Sequence, residues 1–195
     1  MVNENETVWI QQAQNGDREA IANLIHAFQR PVYNMAYRML NNQQEAEEAT
    51  QEAFIRMVTR LESYNNEYKF STWLLSITRN YCIDLIRKKK MLQLSIDEPL
   101  PPHPALVSEK SKNPEQSAMY ADKQVMVQEM LQKLPEDDRE AIVLRYFYDH
   151  SYDEIASIME TTVSSVKARL FRARQKLAKI GVTMGAQEAV SRPTL

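Results

Sequence analysis

A repeat of apolar residues at helical spacing between positions 70 and 90 constrains the fold of this chain more than any other segment. Such spacing places the apolar side chains on one face of a helix and favours burial of that face. The apolar members are Phe70, Trp73, Leu74, Ile77, Tyr81 and Leu85, and the stripe that borders them consists of Trp73, Ile77, Asn80, Asp84 and Arg87. We therefore predict one long amphipathic helix, with Ser71 as its N-cap, in the core of a helical domain.

The predicted helix ends in four consecutive cations at residues 87–90, and Tyr64 and Tyr68 precede it. Cations at a helix C-terminus suit the negative end of the helix dipole, and they are also the groups that contact nucleic acid phosphates. Aromatic rings beside such cations hold unpaired bases by stacking. The segment is typical either of an amphipathic core helix with a solvated basic end or of a platform for single-stranded DNA.

Composition favours an all-α fold of two small helical domains. The chain has 195 residues, which is enough for one or two domains, and only three glycines. Its net charge of -2 is unevenly distributed, because residues 163–179 contain six Lys or Arg and no acid, whereas residues 136–160 are mainly acidic. A local basic patch of this kind is compatible with nucleic acid binding even when the net charge is negative.

The sequence contains no sign of a membrane helix, a secretion signal, a metal site or a catalytic site. Its apolar runs are shorter than the roughly 18 residues that indicate a transmembrane helix, and its N-terminus lacks the order of a signal peptide. The single cysteine, Cys82, excludes an internal disulfide. We expect a cytoplasmic protein without direct membrane insertion, cofactor or enzymatic activity, in which Cys82 is a buried thiol.

Two further helices are predicted before position 61. The first follows Asp17, a suitable N-cap, and Pro31 should kink or break it because proline lacks a backbone N–H. The second runs from about residue 43 to residue 61. Its outer face is polar apart from Ile55, and such a face is either solvated or bound to a partner.

Residues 91–116 contain five of the eight prolines and lack helical periodicity. Proline at this density prevents helix formation and favours an extended, semi-rigid chain, so we predict a linker. The linker would separate a first domain, residues 1–90, from a second domain, residues 117–180. Residues 181–195 would form a frayed tail.

A helix-turn-helix pattern occupies the second domain. Ser151 and Glu154 have the spacing of a capping box, and a tight turn at residues 160–162 precedes a basic helix. In such a unit the second helix lies in the major groove of DNA. The residues at its exposed edge are Ser164, Ser165, Lys167, Ala168, Phe171 and Arg172. A solvated basic helix is the alternative, but it would not explain the capped helix and the turn.

Two stretches resemble conserved regions of bacterial RNA polymerase sigma factors. The first comprises Gln51-Glu52-Ala53-Phe54-Ile55-Arg56, Ser63-Tyr64, Phe70-Ser71-Thr72-Trp73-Leu74, Ile77, Asn80, Asp84 and Arg87, and it resembles the second conserved region. The second stretch, SSVKARLFRARQKL at residues 164–177, resembles the fourth conserved region. Together they are similar to the small two-domain extracytoplasmic-function (ECF) group.

The resemblance implies that each of the two domains has its own function. The first would bind core RNA polymerase and melt the -10 promoter element, and the second would recognise the -35 element. Polymerase contacts are implied for Glu48, Gln51, Glu52 and Ile55. The resemblance implies that a pocket for a flipped -10 base is lined by Leu61, Ser63, Tyr64 and Asn80. It also implies that the phosphates of the same strand are bound by Arg79, Arg87 and Lys88. The six exposed residues of the recognition helix would contact the -35 element.

The resemblance also implies three partners: core RNA polymerase, promoter DNA and an anti-sigma factor, which is often membrane-anchored in this family. A helix-turn-helix regulator that is not a polymerase subunit is one alternative, but it predicts a βαβ effector domain where this sequence predicts helices. An enzyme that uses Asn80, Asp84 and Arg87 is another. Against the enzyme, the sequence offers no nucleophile, paired base or phosphate loop beside these residues. An ion pair between Asp84 and Arg87 would explain the polar stripe without catalysis.

Overall fold

The computed structural model describes the backbone of residues 4–95 and 114–191 and the side chains of residues 5–92 and 123–182. Within these ranges the chain forms α-helices, one 3-10 turn and short connections, and no strand. The predicted all-α class is therefore confirmed. The chain divides into two compact units, Met1–Pro104 and Ala105–Leu195.

The first unit is a helical domain built around its second helix. Its elements are α1 (Glu4–Gln14), α2 (Arg18–Leu40), α3 (Gln43–Arg60), a 3-10 turn (Leu61–Ser63) and α4 (Phe70–Ser95). Helix α2 packs against α1, α3 and α4. The core between them includes Leu24, Val32, Met57 and Leu74. Phe28 of α2 meets Phe70 of α4 edge to face, with 5.3 Å between the ring centroids, which is a favourable aromatic geometry.

Helix α4 forms the predicted core helix, with Phe70, Leu74 and the Cys82 thiol buried. The helix begins at Phe70, so Ser71 lies inside it and is not the N-cap. The predicted ion pair of the polar stripe is also wrong. Asp84 and Arg87 are both exposed, and nothing joins them among the described residues.

Helix α2 begins where the sequence predicts, but the proline does not interrupt it. The carboxylate of Asp17 accepts the backbone N–H groups of Glu19 and Ala20 at 2.8 and 3.3 Å, which satisfies two donors at the helix start. The helix then continues through Pro31 to its end, so the expected break does not occur. Proline removes one backbone hydrogen bond, but residues on both sides of it are buried in the same core.

Helix α1 is absent from the sequence-based prediction because its amphipathic pattern is weak. Only Ile10 and Ala13 are buried among its described side chains, with Trp9 partly buried against the core. Gly16, at φ +86°, then turns the chain into α2, a backbone conformation that glycine adopts without strain. Tertiary packing rather than local periodicity thus stabilises α1.

The second unit contains α5 (Pro114–Gln132), α6 (Glu136–Tyr146), α7 (Tyr152–Ile158) and α8 (Val163–Ser191). Helix α8 packs against the other three, and its core contacts include Val166 and Leu170. The capping box of α7 is present, with Ser151 N donating to Glu154 at 2.8 Å and Glu154 N donating to Ser151 Oγ at 3.2 Å. The predicted helix-turn-helix is confirmed as α7, a turn and α8.

The helices extend beyond the limits that the sequence predicts. Helix α4 continues to Ser95 and α5 begins at Pro114, so both ends of the predicted linker are helical. The rest of that linker, residues 96–113, lies outside the described residues. Helix α8 continues to Ser191, so most of the predicted frayed tail is helical. The segment contains Ala, Gln, Glu and Met, which favour helix, and its first proline is Pro193.

Candidate nucleic-acid and protein interfaces

The outer face of α3 presents Glu48, Gln51, Glu52 and Ile55 side by side. Their spacing of three, one and three residues places them on one side of the helix. The opposite side is buried and consists of Ala46, Ala49, Ala53 and Met57. Ile55 is 58% exposed. An exposed isoleucine among polar groups is a suitable anchor for a partner protein.

Each carboxylate of this face is held by one neighbouring side chain, either Tyr81 of α4 or Arg56 of α3. The hydroxyl of Tyr81 donates to Oε1 of Glu48 at 2.9 Å, and Nε of Arg56 donates to Oε1 of Glu52 at 2.7 Å. The Arg56 guanidinium also lies 5.0 Å from the centroid of the Tyr81 ring, a cation–π distance. Burial, followed by the hydrogen bond and charge of Glu48, raises the pKa of Tyr81 to about 12. The face is therefore preorganised, and its two uncharged residues remain exposed.

Tyr64, predicted to line the pocket for a flipped base, packs at the edge of the core. It is 8% exposed, and its ring centroid is 5.3 Å from those of both Phe70 and Trp73. Its hydroxyl donates to the carbonyl of Tyr68 at 2.7 Å. Burial raises the pKa of Tyr64, so this hydroxyl stays protonated. Tyr68, which is 43% exposed, is the ring of this segment that is open to stacking.

A cleft of about 330 Å³ lies between α1 and the segment that joins the 3-10 turn to α4. It is lined by Glu6, Thr7, Ile10, Tyr64, Asn66, Glu67, Tyr68, Lys69 and Phe70. Of the four residues predicted to form one pocket, only Tyr64 lines this cleft. Leu61 is buried, and Ser63 donates to the carbonyl of Arg60 at 2.7 Å. The contribution of α1 to the cleft has no signal in the sequence.

The predicted phosphate-binding residues lie along α4. Nη1 of Arg79 donates to Oδ1 of Asn80 at 2.8 Å, and both residues are half-buried. Arg87 and Lys88 are exposed two turns further on. Their neighbour Lys89 instead pairs with Glu45 of α3. Exposed cations at the end of α4 can meet the phosphates of a strand that crosses the helix.

The recognition helix α8 exposes its predicted edge. Ser164, Lys167, Ala168, Phe171 and Arg172 are exposed, with Phe171 at 56%. Ser165 is half-buried, and its backbone N–H donates to Oγ1 of Thr162 at 3.2 Å, so it belongs to the helix cap. Thus five of the six predicted residues form one exposed surface.

Two acidic residues of α6 pair with two arginines of α8. Arg172 donates to Asp138, with Nη2 to Oδ1 at 2.8 Å, and Nη2 of Arg169 lies 3.0 Å from Oδ2 of Asp137. Asp138 lies in the first turn of α6, where a carboxylate suits the helix dipole, and it is only 4% exposed. The sequence feature that could have predicted these ion pairs is the presence of two adjacent acids on one helix and two arginines three residues apart on another.

No helix in the described part of the chain is long and apolar enough to cross a membrane. No group of three His, Cys, Asp or Glu residues in the described part is arranged to hold a metal ion.

Comparison with known families and proteins gives consistent matches over most of the chain. Residues 24–91 match the family model for Sigma-70 region 2, and residues 124–177 match that for Sigma-70 region 4. The ECF RNA polymerase sigma factor SigW of Bacillus subtilis is 36% identical over 87% of this chain and 93% of its own length. The ECF RNA polymerase sigma-E factor of Escherichia coli K12 is 30% identical over 88% of this chain and 92% of its own.

Solved structures show the same fold. A structure of CnrH in complex with the cytosolic domain of CnrY aligns with a TM-score of 0.68 and 21% identity, over 92% of this chain and 99% of that one. The sigma factor RpoE in complex with the anti-sigma factor NepR, from Bartonella quintana, aligns with a TM-score of 0.66 and 21% identity, over 81% of this chain and 94% of that one.

Proposed function

The chain belongs to the ECF group of RNA polymerase sigma factors, and from that premise we propose which surfaces perform each step of initiation. The family directs core RNA polymerase to promoters. The observation that carries the residue assignments is the coexistence, in one chain, of an exposed isoleucine beside held carboxylates on α3, a cationic end on α4 and an exposed cationic face on α8. Sigma factors are DNA-binding initiation factors, and the transcription chemistry takes place in the polymerase.

Core polymerase binds the outer face of α3 in this proposal. Ile55 supplies apolar area at the centre of the contact, and Gln51 supplies an amide that both donates and accepts hydrogen bonds. Glu48 and Glu52 are already held by Tyr81 and Arg56. Little side-chain entropy is therefore lost when the two carboxylates meet a partner.

The -10 element is bound by the cleft beside α1 and by the cations of α4. Tyr68 offers an exposed ring on which an unpaired base stacks, and buried Tyr64 lines the same cleft. Extruding a base costs a few kcal/mol, so a shaped cleft with a stacking ring favours the open state. Arg79, Arg87 and Lys88 then neutralise phosphates of the same strand.

The -35 element is recognised by the exposed edge of α8. Lys167 and Arg172 are cations suited to guanine edges or phosphates, and Ala168 and Phe171 are apolar groups suited to thymine methyls. Ser164 lies in the first turn of the helix, where its hydroxyl can reach a phosphate or a base. The backbone N–H of Ser165 is held by the helix cap, and its half-buried hydroxyl lies beside this edge as a further candidate contact.

An anti-sigma factor is the third partner in this proposal. Two structures of similar fold, CnrH and RpoE, were determined with the cytosolic domain of CnrY and with the anti-sigma factor NepR, respectively. The presence of the same fold here supports an equivalent regulator, which acts where the polymerase and the chromosome are, in the cytoplasm.

Run-off transcription with the full chain and purified core polymerase tests the proposal. On a library of promoters with randomised -35 and -10 elements, the chain should direct transcription from a defined subset, and it should copurify with core polymerase. A helix-turn-helix regulator that is not a subunit would bind duplex DNA without copurifying. That outcome would contradict the assignment of the α3 face.

A further inference from the structure

We propose that Gln14 is a positioning residue for -10 recognition: it fixes the promoter-binding segment from the end of α1 without touching DNA. This inference rests on the proposed function of the cleft. Nε2 of Gln14 donates to the backbone carbonyls of Leu61 and Tyr64, both at 3.0 Å. The two bonds span 47 and 50 residues of sequence. One amide group thus joins α1 to the point where the chain leaves the 3-10 turn.

One of the two carbonyls already has a backbone partner, because that of Leu61 accepts the N–H of Tyr64 at 3.1 Å and so closes the 3-10 turn. Leu61 begins the 3-10 turn after α3, and Tyr64 follows its last residue with an extended backbone at φ -73° and ψ 124°. The carbonyl of Tyr64 lies beyond the turn and needs a partner outside it, whereas for Leu61 the bond from Gln14 is a second one. The amide of Gln14 supplies both of its N–H groups, one for each carbonyl. It therefore fixes the direction in which the chain departs from the turn.

Tyr64 transmits this constraint to the exposed part of the segment. Its backbone is held by Gln14, its ring packs against Phe70 and Trp73, and its hydroxyl holds the carbonyl of Tyr68. Residues 65–69 are exposed between these anchors. The position of the Tyr68 ring, and with it the shape of the cleft, accordingly depends on the bonds of Gln14.

The test compares Gln14→Glu with Asn15→Ala in the full chain. The carboxylate has the shape of the amide but no N–H, so both bonds are lost. Asn15 is the matched control, because among the described residues its amide donates to the carbonyl of Gln11 in α1, at 2.9 Å. We expect amide hydrogen exchange of residues 64–68 to accelerate about tenfold in Gln14→Glu and to remain unchanged in Asn15→Ala.

The functional readout is base preference at the flipped -10 position, measured by transcription from templates with each of the four bases. Gln14→Glu should reduce the preference about three- to tenfold, with unchanged affinity for core polymerase and for -35 duplex. If Gln14→Glu fails to fold, Gln14→Met, which also lacks donors, takes its place. Faster exchange with unaltered base preference would overturn the positioning role. A wild-type chain that never initiates would instead overturn the proposed function, whatever the exchange rates.

Discussion

The carboxylate of Asp138, at the start of α6, binds the guanidinium of Arg172 on the recognition helix through two contacts. Oδ1 lies 2.8 Å from Nη2, and Oδ2 lies 3.4 Å from Nε. The acid is buried, whereas the arginine side chain is 57% exposed. Because guanidinium has five N–H donors, those not engaged by Asp138 remain available. A buried acid of α6 therefore orients the group that we propose contacts the -35 element.

Asp138→Asn should reduce the preference of the chain for its -35 element over a scrambled duplex. The amide has one acceptor oxygen instead of two, so the guanidinium is less well oriented, and we expect the preference to fall about three- to tenfold. Affinity for the scrambled duplex should stay equal or rise, because a negative charge is lost. Fluorescence anisotropy with both duplexes measures the ratio. Asp137→Asn, which releases Arg169, is the control, and an unchanged ratio in Asp138→Asn would exclude the aiming role.

Substitution on the outer face of α3 should weaken binding to core polymerase without unfolding the domain. Ile55→Arg places a charge where we propose an apolar contact, and Gln51→Ala removes an amide. We expect the double variant to lose about 2 to 4 kcal/mol of binding free energy. Arg60→Ala, which is exposed on another side of the same helix, should bind as the wild type does. Surface plasmon resonance and circular dichroism together make the comparison, and wild-type affinity in the double variant would move the contact elsewhere.

The stability of the first unit should depend on Tyr81 at alkaline pH. The pKa of Tyr81 is raised from 10.0 to about 12 in the folded chain, so the folded state retains the proton longer than the unfolded state. The stabilisation is complete below pH 10 and is lost as pH rises toward about 12. Tyr81→Phe, which has no proton to release, should show a smaller fall in melting temperature between pH 9 and 11. Tyr68→Phe is the control for the loss of an exposed hydroxyl, and parallel curves for Tyr81→Phe and wild type would contradict the prediction.

Local patterns predict the helices whose periodicity and caps are strong. The Asp17 cap, the Ser151 capping box and the buried stripe of α4 are all visible in the sequence, because each depends on residues within one or two turns. Helix α1 is not visible, since burial of Ile10 and Ala13 depends on helices formed later in the chain. Similarly, α2 continues through Pro31 because the residues on both sides of the proline are buried in the core, and this burial outweighs the low helix propensity of proline.

The candidate interfaces divide in the same way. The faces of α3 and α8 follow from helical spacing, so their exposed residues are predicted before the structure is known. The cleft does not follow from helical spacing, because it combines α1 with a segment some fifty residues away. In that segment Tyr64 points inward and packs against Phe70 and Trp73. A sequence pattern indicates which residues share a helix face, but not which tyrosine of an irregular segment is buried.

Tyr68→Ala and Tyr64→Ala should therefore have different effects on promoter melting. Removing the exposed ring of Tyr68 deletes a stacking surface, so we expect a loss of about 1 to 3 kcal/mol in open-complex stability with an unchanged melting temperature. Removing the ring of Tyr64 leaves a cavity beside Phe70 and Trp73, so we expect a loss of about 3 to 5 kcal/mol in the free energy of unfolding. Permanganate reactivity of promoter thymines measures the first, and chemical denaturation measures the second.

Tyr64→Phe separates the two roles, because it keeps the ring and removes only the hydroxyl that holds the Tyr68 carbonyl. We expect it to remain folded and to melt promoters less well than the wild type, although its own ring is intact, since the Tyr68 ring is less well placed. Duplex binding through α8 should be unaffected in all three variants, which provides an internal control. If Tyr68→Ala melts the promoter normally while Tyr64→Phe does not, the base is held by another surface of the cleft.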